Sequence, residues 1–143
     1  MCAQLLVDNR NTPVLVSACL LGVACRYDGQ SKPAHIDKNQ PLWPVCPEVM
    51  AGLGVPRPAI ERSSDGTIRV LESGKDVRPA LEKACRSIVD RAVEQGVSHA
   101  VLKDGSPSCG STRLWSNGKR VSGQGLLTDH LRAAGIVVTP EPE

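Results

Sequence analysis

Residues 77–95 repeat apolar side chains at helical spacing, with Val77, Ala80, Leu81, Ala84, Ile88, Ala92 and Val93 assigned to one face. Asp76 suits its N-terminal cap, Pro79 fits the first turn and Gly96 suits its end. On either side lie apolar runs too short for helices, at 14–18, 42–46, 99–102 and 136–138. Short strands alternating with helices predict an α/β domain, three-layered and Rossmann-like, with a mostly parallel sheet. A polar hairpin is expected over 60–71, turning at 63–66, and a helical turn after Pro47. A last helix over 125–134 then leads into the closing strand as a parallel crossover. With 143 residues and 41% hydrophobic content the chain can close one core. The expected organisation is a single domain over 14–143 behind an N-terminal extension, 1–13.

No run approaches the roughly 18 apolar residues of a membrane span, and the first thirteen positions mix Gln4, Asp8, Asn9 and Arg10 among apolar residues. Neither a span nor a secretory signal is expected, which predicts a cytoplasmic protein. Seventeen Lys and Arg against 15 Asp and Glu leave a net charge of +2, too balanced for a non-specific polyanion binder. Tyr27, Trp43 and Trp115 are the whole aromatic complement and offer little base stacking. Arg26, Lys32, Lys103, Arg113, Lys119 and Arg120 are the residues from which a local phosphate-binding patch would have to be assembled.

Cysteine is the unusual component: Cys2, Cys19, Cys25, Cys46, Cys85 and Cys109, in a chain for which no export signal is expected. No two are spaced as in a zinc ribbon or a thioredoxin-type pair. In an open α/β sheet ligands collect beyond the carboxyl ends of the strands. Cys19 follows the first predicted strand, Cys46 ends the second and Cys109 lies in the loop after 99–102, so the fold predicts that the three converge. Converging thiolates repel one another and need a cation or cluster to hold them. Zinc, with a fourth ligand from His35, His99 or His130, and an iron–sulfur cluster both satisfy that need. Cys85 lies on the buried helix face and reads as a core thiol, and Cys2 as an incidental one. The histidines read as ordinary hydrogen-bonding residues, and Asp104 as a residue that organises its loop.

The local sequences are more specific than the spacing. Ser17-Ala18-Cys19-Leu20-Leu21-Gly22, Arg26-Tyr27-Asp28-Gly29, Pro44-Val45-Cys46-Pro47-Glu48 and Asp104-Gly105-Ser106-Pro107-Ser108-Cys109-Gly110, in this order, resemble the thiouracil desulfidase family. The resemblance extends over 14–138. It implies an oxygen-sensitive [4Fe-4S] cluster held by Cys19, Cys46 and Cys109, with the fourth iron open. It also implies removal of sulfur from 2- or 4-thiouracil, without net redox change, to give uracil and hydrogen sulfide. In that scheme the open iron, a soft Lewis acid, binds the thiocarbonyl sulfur while water attacks the ring carbon. Since the family pattern puts ligation on Cys19, Cys25 ranks as a nearby packing thiol.

Glu48, tethered two residues beyond Cys46, is the expected general base, and Ser106 the expected proton-transfer or ring-orienting hydroxyl. Arg26, Tyr27 and Asp28 offer a donor fork, a ring and an acceptor for a uracil edge and face. Ser108 is a second hydroxyl for substrate binding or for the loop itself. The expected substrate is a small thiopyrimidine, with a thiolated nucleoside or tRNA as the larger form of the same chemistry. The competing readings are a zinc- or iron–sulfur-stabilised binding module and a cysteine persulfide carrier.

Overall fold

The strand Val14–Ser17 (β1) buries Leu15, Val16 and Ser17 in succession, as a strand does only when both faces of its sheet are covered. The computed structural model describes residues 12–31, 33–34, 36, 39–63, 65–116 and 119–141. Cys2, Lys32, His35, Ser64 and nearly all of the expected N-terminal extension lie outside the described residues. β1 pairs in parallel with Leu42–Val45 (β2) on one side and His99–Leu102 (β5) on the other. β5 in turn pairs in parallel with Val137–Pro140 (β8), so the sheet order is β2-β1-β5-β8. The parallel α/β domain expected from the alternation of elements is the fold observed. Pro44 sits in β2, at the sheet edge, where its missing N–H breaks no ladder.

Alternate residues of the strands serve two layers. Leu15, Val45, Ala100, Leu102 and Val138 join the main core with the helices Arg78–Glu94 (α2) and Leu126–Ala133 (α3). On the opposite face Val14, Val16, Leu42 and Val101 pack with the 3-10 turn Ala18–Leu21 and with Ala34 and Ile36. The second covering layer is therefore a turn and a loop, while both long helices share the first.

α2 begins one residue later than its apolar pattern suggests, with Pro79 in its first turn and the Asp76 carboxylate accepting the Arg78 amide at 3.0 Å. It ends at Gly96, whose φ of 74° is left-handed backbone that costs glycine nothing. Its buried stripe comprises Leu81, Ala84, Cys85, Ile88 and Ala92, continued from the flanking Val77. Ala80 and Val93, expected in that stripe, are exposed, because each lies roughly 100–120° round the helix from its centre. Cys85 is fully buried, as a core thiol.

The expected hairpin forms from Ile60–Arg62 (β3) and Ile68–Val70 (β4). A second antiparallel pair, Arg113–Ser116 (β6) with Lys119–Ser122 (β7), has no apolar run to announce it. Asn117-Gly118 between its strands is nevertheless a strong hairpin signal in the sequence. Pro47–Met50 (α1) is a single helical turn after β2. Among the described residues no helix is long and apolar enough to cross a membrane.

Leu81 is fully buried at the centre of the α2 stripe, whereas Val93 is 57% exposed. Leu81→Ala should cost about 2–5 kcal/mol in denaturant unfolding, and Val93→Ala less than about 0.5 kcal/mol.

Candidate active site

Because every strand of the sheet points the same way, Ser17, Val45 and Leu102 end on one edge, and the segments that follow them close round a cavity of about 430 Å³. Cys19, Cys25, Cys46 and Cys109 all line it. Cys19 lies in the 3-10 turn directly after β1, which Gly22 closes at a φ of 93°. Cys46 stands immediately before α1, and its thiol donates to the Cys25 carbonyl at 3.8 Å.

Cys109 belongs to the loop after β5, and that loop is built around one buried carboxylate. Asp104 Oδ1 accepts the amides of Gly105, Ser111, Thr112 and Arg113 at 3.0, 3.1, 3.1 and 3.2 Å, and Oδ2 accepts the Thr112 hydroxyl. Burial alone would raise the Asp104 pKa, but these bonds hold it down at about 2. The expectation that Asp104 organises its loop agrees with this geometry. The amides that open α3 lack partners within the helix and donate to the same loop. Leu126 N reaches Pro107 O at 3.0 Å and Leu127 N reaches Ser108 O at 2.8 Å, while the Thr128 hydroxyl donates to Cys109 O at 3.0 Å. Contact is so close that a Cβ on Gly125 would stand 2.6 Å from the Ser108 carbonyl carbon and 2.7 Å from the Cys109 nitrogen.

Burial disfavours the charged forms of Cys19, Cys25 and Cys109. Burial pushes Cys109 well above its ordinary value, a hydrogen bond from Ser17 opposes this in part, and Cys46, Glu48 and Cys19 push it further. Cys19 is raised by burial and by Cys46, against Lys103 and Arg26, and Cys25 is pushed to about 12 by burial and by Cys46. Among the described residues no three His, Cys, Asp or Glu groups are gathered closely enough to hold a single metal ion. A tetrahedral zinc site would bring its sulfurs to roughly 3.8 Å of one another.

Beside the thiols runs a polar chain. Glu48, in the first turn of α1, is nearly buried; its Oε1 accepts Arg57 Nε at 3.0 Å and its Oε2 accepts the Ser108 hydroxyl at 2.7 Å. Ser106 Oγ lies 2.9 Å from Ser108 Oγ and 3.4 Å from Glu48 Oε2. It also accepts the amides of Ser108 and Cys109, at 3.1 and 3.3 Å. With those amides on its lone pairs, the Ser106 proton is directed toward Ser108 and Glu48.

Of the residues expected at a site, Cys19, Cys46, Cys109, Glu48, Ser106, Ser108, Arg26 and Tyr27 line this cavity. Asp28 is not among the lining residues: its carboxylate accepts the Gln30 amide at 3.0 Å and shapes the turn after Arg26. Cys25, ranked as a packing thiol, does line it. His99 bonds Thr139 and His130 bonds Glu82, each at about 3 Å, and neither lines the cavity. Ser17 and Arg57 were not anticipated. Ser17 Oγ accepts the Lys103 amide at 2.9 Å and bonds Cys109, two functions set by strand neighbours distant in sequence. Arg57, between two prolines, carries no sequence signal of its own. Lys103 and Arg120, considered only as members of a local phosphate-binding patch, also line the cavity.

The profile of the 2-thiouracil desulfurases matches residues 14–143. The chain belongs to the 2-thiouracil desulfurase family. YbbK, an uncharacterized protein of Bacillus subtilis (strain 168), is 31% identical over 146 residues, spanning 91% of this chain and 96% of the relative. Among solved structures the [4Fe-4S]-dependent thiouracil desulfidase TudS superposes with a TM-score of 0.82 at 38% identity, covering 90% of each chain. This desulfurase-family chain thus shares its fold and most of its length with an enzyme of known cofactor.

Two consequences of the Cys109 loop are measurable. The Asp104 value lies below its ordinary 3.8, so the stabilisation is present above 3.8 and is lost as pH falls toward about 2. Asp104→Asn should lower the unfolding midpoint at neutral pH and flatten the acid decline across that window. Gly125→Ala should cost about 1–3 kcal/mol of stability in denaturant titration, through its clash with the Cys109 backbone.

Proposed function

We propose that this protein is a [4Fe-4S]-dependent desulfidase that converts thiouracil to uracil and hydrogen sulfide, with Cys19, Cys46 and Cys109 holding the cluster. The observation that carries the reading is the meeting of these thiols with Glu48, Ser106 and Ser108 in one cavity. The donor set suits such a group. Its thiols are soft ligands facing a cavity rather than a point, and the raised pKa values of Cys19 and Cys109 mean that a cationic iron core is what would hold these two as thiolates. When bound, the cluster supplies a soft Lewis-acidic iron, without a protein ligand, for a thiocarbonyl sulfur.

The chain's own residues do the proton work. Glu48 Oε2 is the base that takes one proton from water attacking the ring carbon; the added hydroxyl gives up the second as the carbonyl forms, and both protons leave with the sulfur as hydrogen sulfide. Ser108, expected at the substrate, is almost fully buried with its hydroxyl on Glu48, so it links Ser106 to the carboxylate. Ser106, half-buried and lining the cavity, is the outer member of that link, its proton passing toward Ser108 and Glu48. Arg26 and Tyr27 at the cavity wall supply donors and a ring for the pyrimidine. Backbone amides on Ser106 fix the hydroxyl before substrate arrives, which removes reorganisation from the reaction.

Protein purified without oxygen should contain roughly four iron and four acid-labile sulfide per chain and release sulfide from 2- or 4-thiouracil. Ser in place of Cys19, Cys46 or Cys109 should abolish both, while Cys25→Ser keeps the cluster. Glu48→Gln should keep the cluster and lose about 10²–10⁴ in turnover. Zinc without labile sulfide, and unchanged function in Glu48→Gln, would move the assignment to a metal-stabilised binding module. Covalent labelling of one cysteine with no iron would move it to a persulfide carrier.

A further inference from the structure

Glu48 sits on α1, a helix of one turn, and a single turn has too few internal hydrogen bonds to hold a side chain in one direction. What holds the carboxylate is Arg57, nine residues on and outside any helix or strand. The two side chains are 5% and 11% exposed, so this ion pair is shielded from water and from salt. Arg57 is itself tied down at both ends: its amide donates to Tyr27 O at 2.7 Å, and its Nη1 donates to Gly54 O at 2.7 Å. The remaining Nε–H therefore meets Glu48 Oε1, at 3.0 Å, from a fixed direction.

The two carboxylate oxygens are thereby given different tasks. Oε1 is occupied by the guanidinium, and Oε2 faces Ser108 at 2.7 Å and Ser106 at 3.4 Å. Without the guanidinium the carboxylate plane could turn and the side chain swing on its single helical turn, so that neither oxygen would be held against the serines. We propose that Arg57 is the positioning residue of this site, acting through Glu48 by locking Oε1 so that Oε2 stays on the Ser106–Ser108 chain. The proposal rests on the reading of Glu48 as the general base. Arg57 also lines the cavity, so a direct contact with substrate is the competing role that the test must separate.

The experiment is a double-mutant cycle in the cluster-loaded enzyme, with Arg57→Met, Glu48→Gln and the double variant, each checked for iron and labile sulfide. Arg57→Met should keep the cluster and its visible spectrum, lower kcat about 100-fold and leave KM nearly unchanged, as a misaimed base does. In the Glu48→Gln background the same change should cost nothing further. Guanidinium ion at non-denaturing concentration should restore part of kcat to Arg57→Ala, which a purely structural defect would not allow. Multiplying penalties in the double variant, or a raised KM at unchanged kcat, would assign Arg57 to substrate binding and overturn the proposal. If Arg57→Met does not fold, Arg57→Lys replaces it in the cycle, keeping the charge without the fork, and is read by the same criteria. A fully active Glu48→Gln would overturn the reading of the base together with the proposal. A disabled Glu48→Gln beside an unimpaired Arg57→Met would overturn the proposal alone.

Discussion

Parallel pairing of β1 with both β2 and β5 is the constraint from which the site follows. Parallel neighbours cannot be joined by a tight turn, so each strand must hand the chain to a long return segment that starts at the same edge of the sheet. The 3-10 turn with Cys19, the segment of Cys46 and α1, and the loop with Cys109 are the beginnings of those return segments. Reversing one strand would send its cysteine to the far edge of the sheet.

The loops are then stiffened from outside the cavity. Asp104 gathers four amides on one oxygen, and α3 offers its opening amides to the carbonyls of Pro107 and Ser108. A helix N-terminus needs acceptors, and a loop that buries its carbonyls needs donors, so the two requirements are met by one contact. Gly110 and Gly125 permit it by carrying no side chain: a Cβ on Gly110 would lie 2.2 Å from the Arg113 carbonyl oxygen. Stability of the α3 packing and placement of the Cys109 thiol are in this way the same interaction.

Charge inside the site is arranged on a similar economy of parts. A buried carboxylate is costly unless paired and hydrogen-bonded, and Glu48 has both a guanidinium and a serine hydroxyl. No comparable pairing serves Cys19, Cys25 or Cys109: burial raises the pKa of each, opposed only in part by Lys103 and Arg26 at Cys19 and by Arg57 at Cys25. A group that brings positive charge among them resolves that asymmetry, and this is the role assigned to the cluster.

Periodicity, turn residues and capping signals determined most of the fold by themselves: β1, β2 and β5, the 60–70 hairpin, the long helix with Asp76 and Gly96 at its ends, and the closing crossover. They could do so because each is written within a few residues of itself. The β6–β7 pair escaped because Arg113, Ser116, Lys119, Arg120 and Ser122 make its strands mostly polar, although Leu114 is buried. The four local motifs likewise carried the family and the cysteines of the site. The motifs also held Glu48, Ser106, Ser108, Arg26 and Tyr27, which line the cavity, but which residues join them there was decided by tertiary structure alone. Ser17, Lys103 and Arg57 acquire their partners across strands and loops, Asp28 turns to its own backbone, and Cys25, packed in the smaller core as expected, also lines the cavity. A side chain's partner in three dimensions depends on how distant segments stack, and no local period or spacing records that.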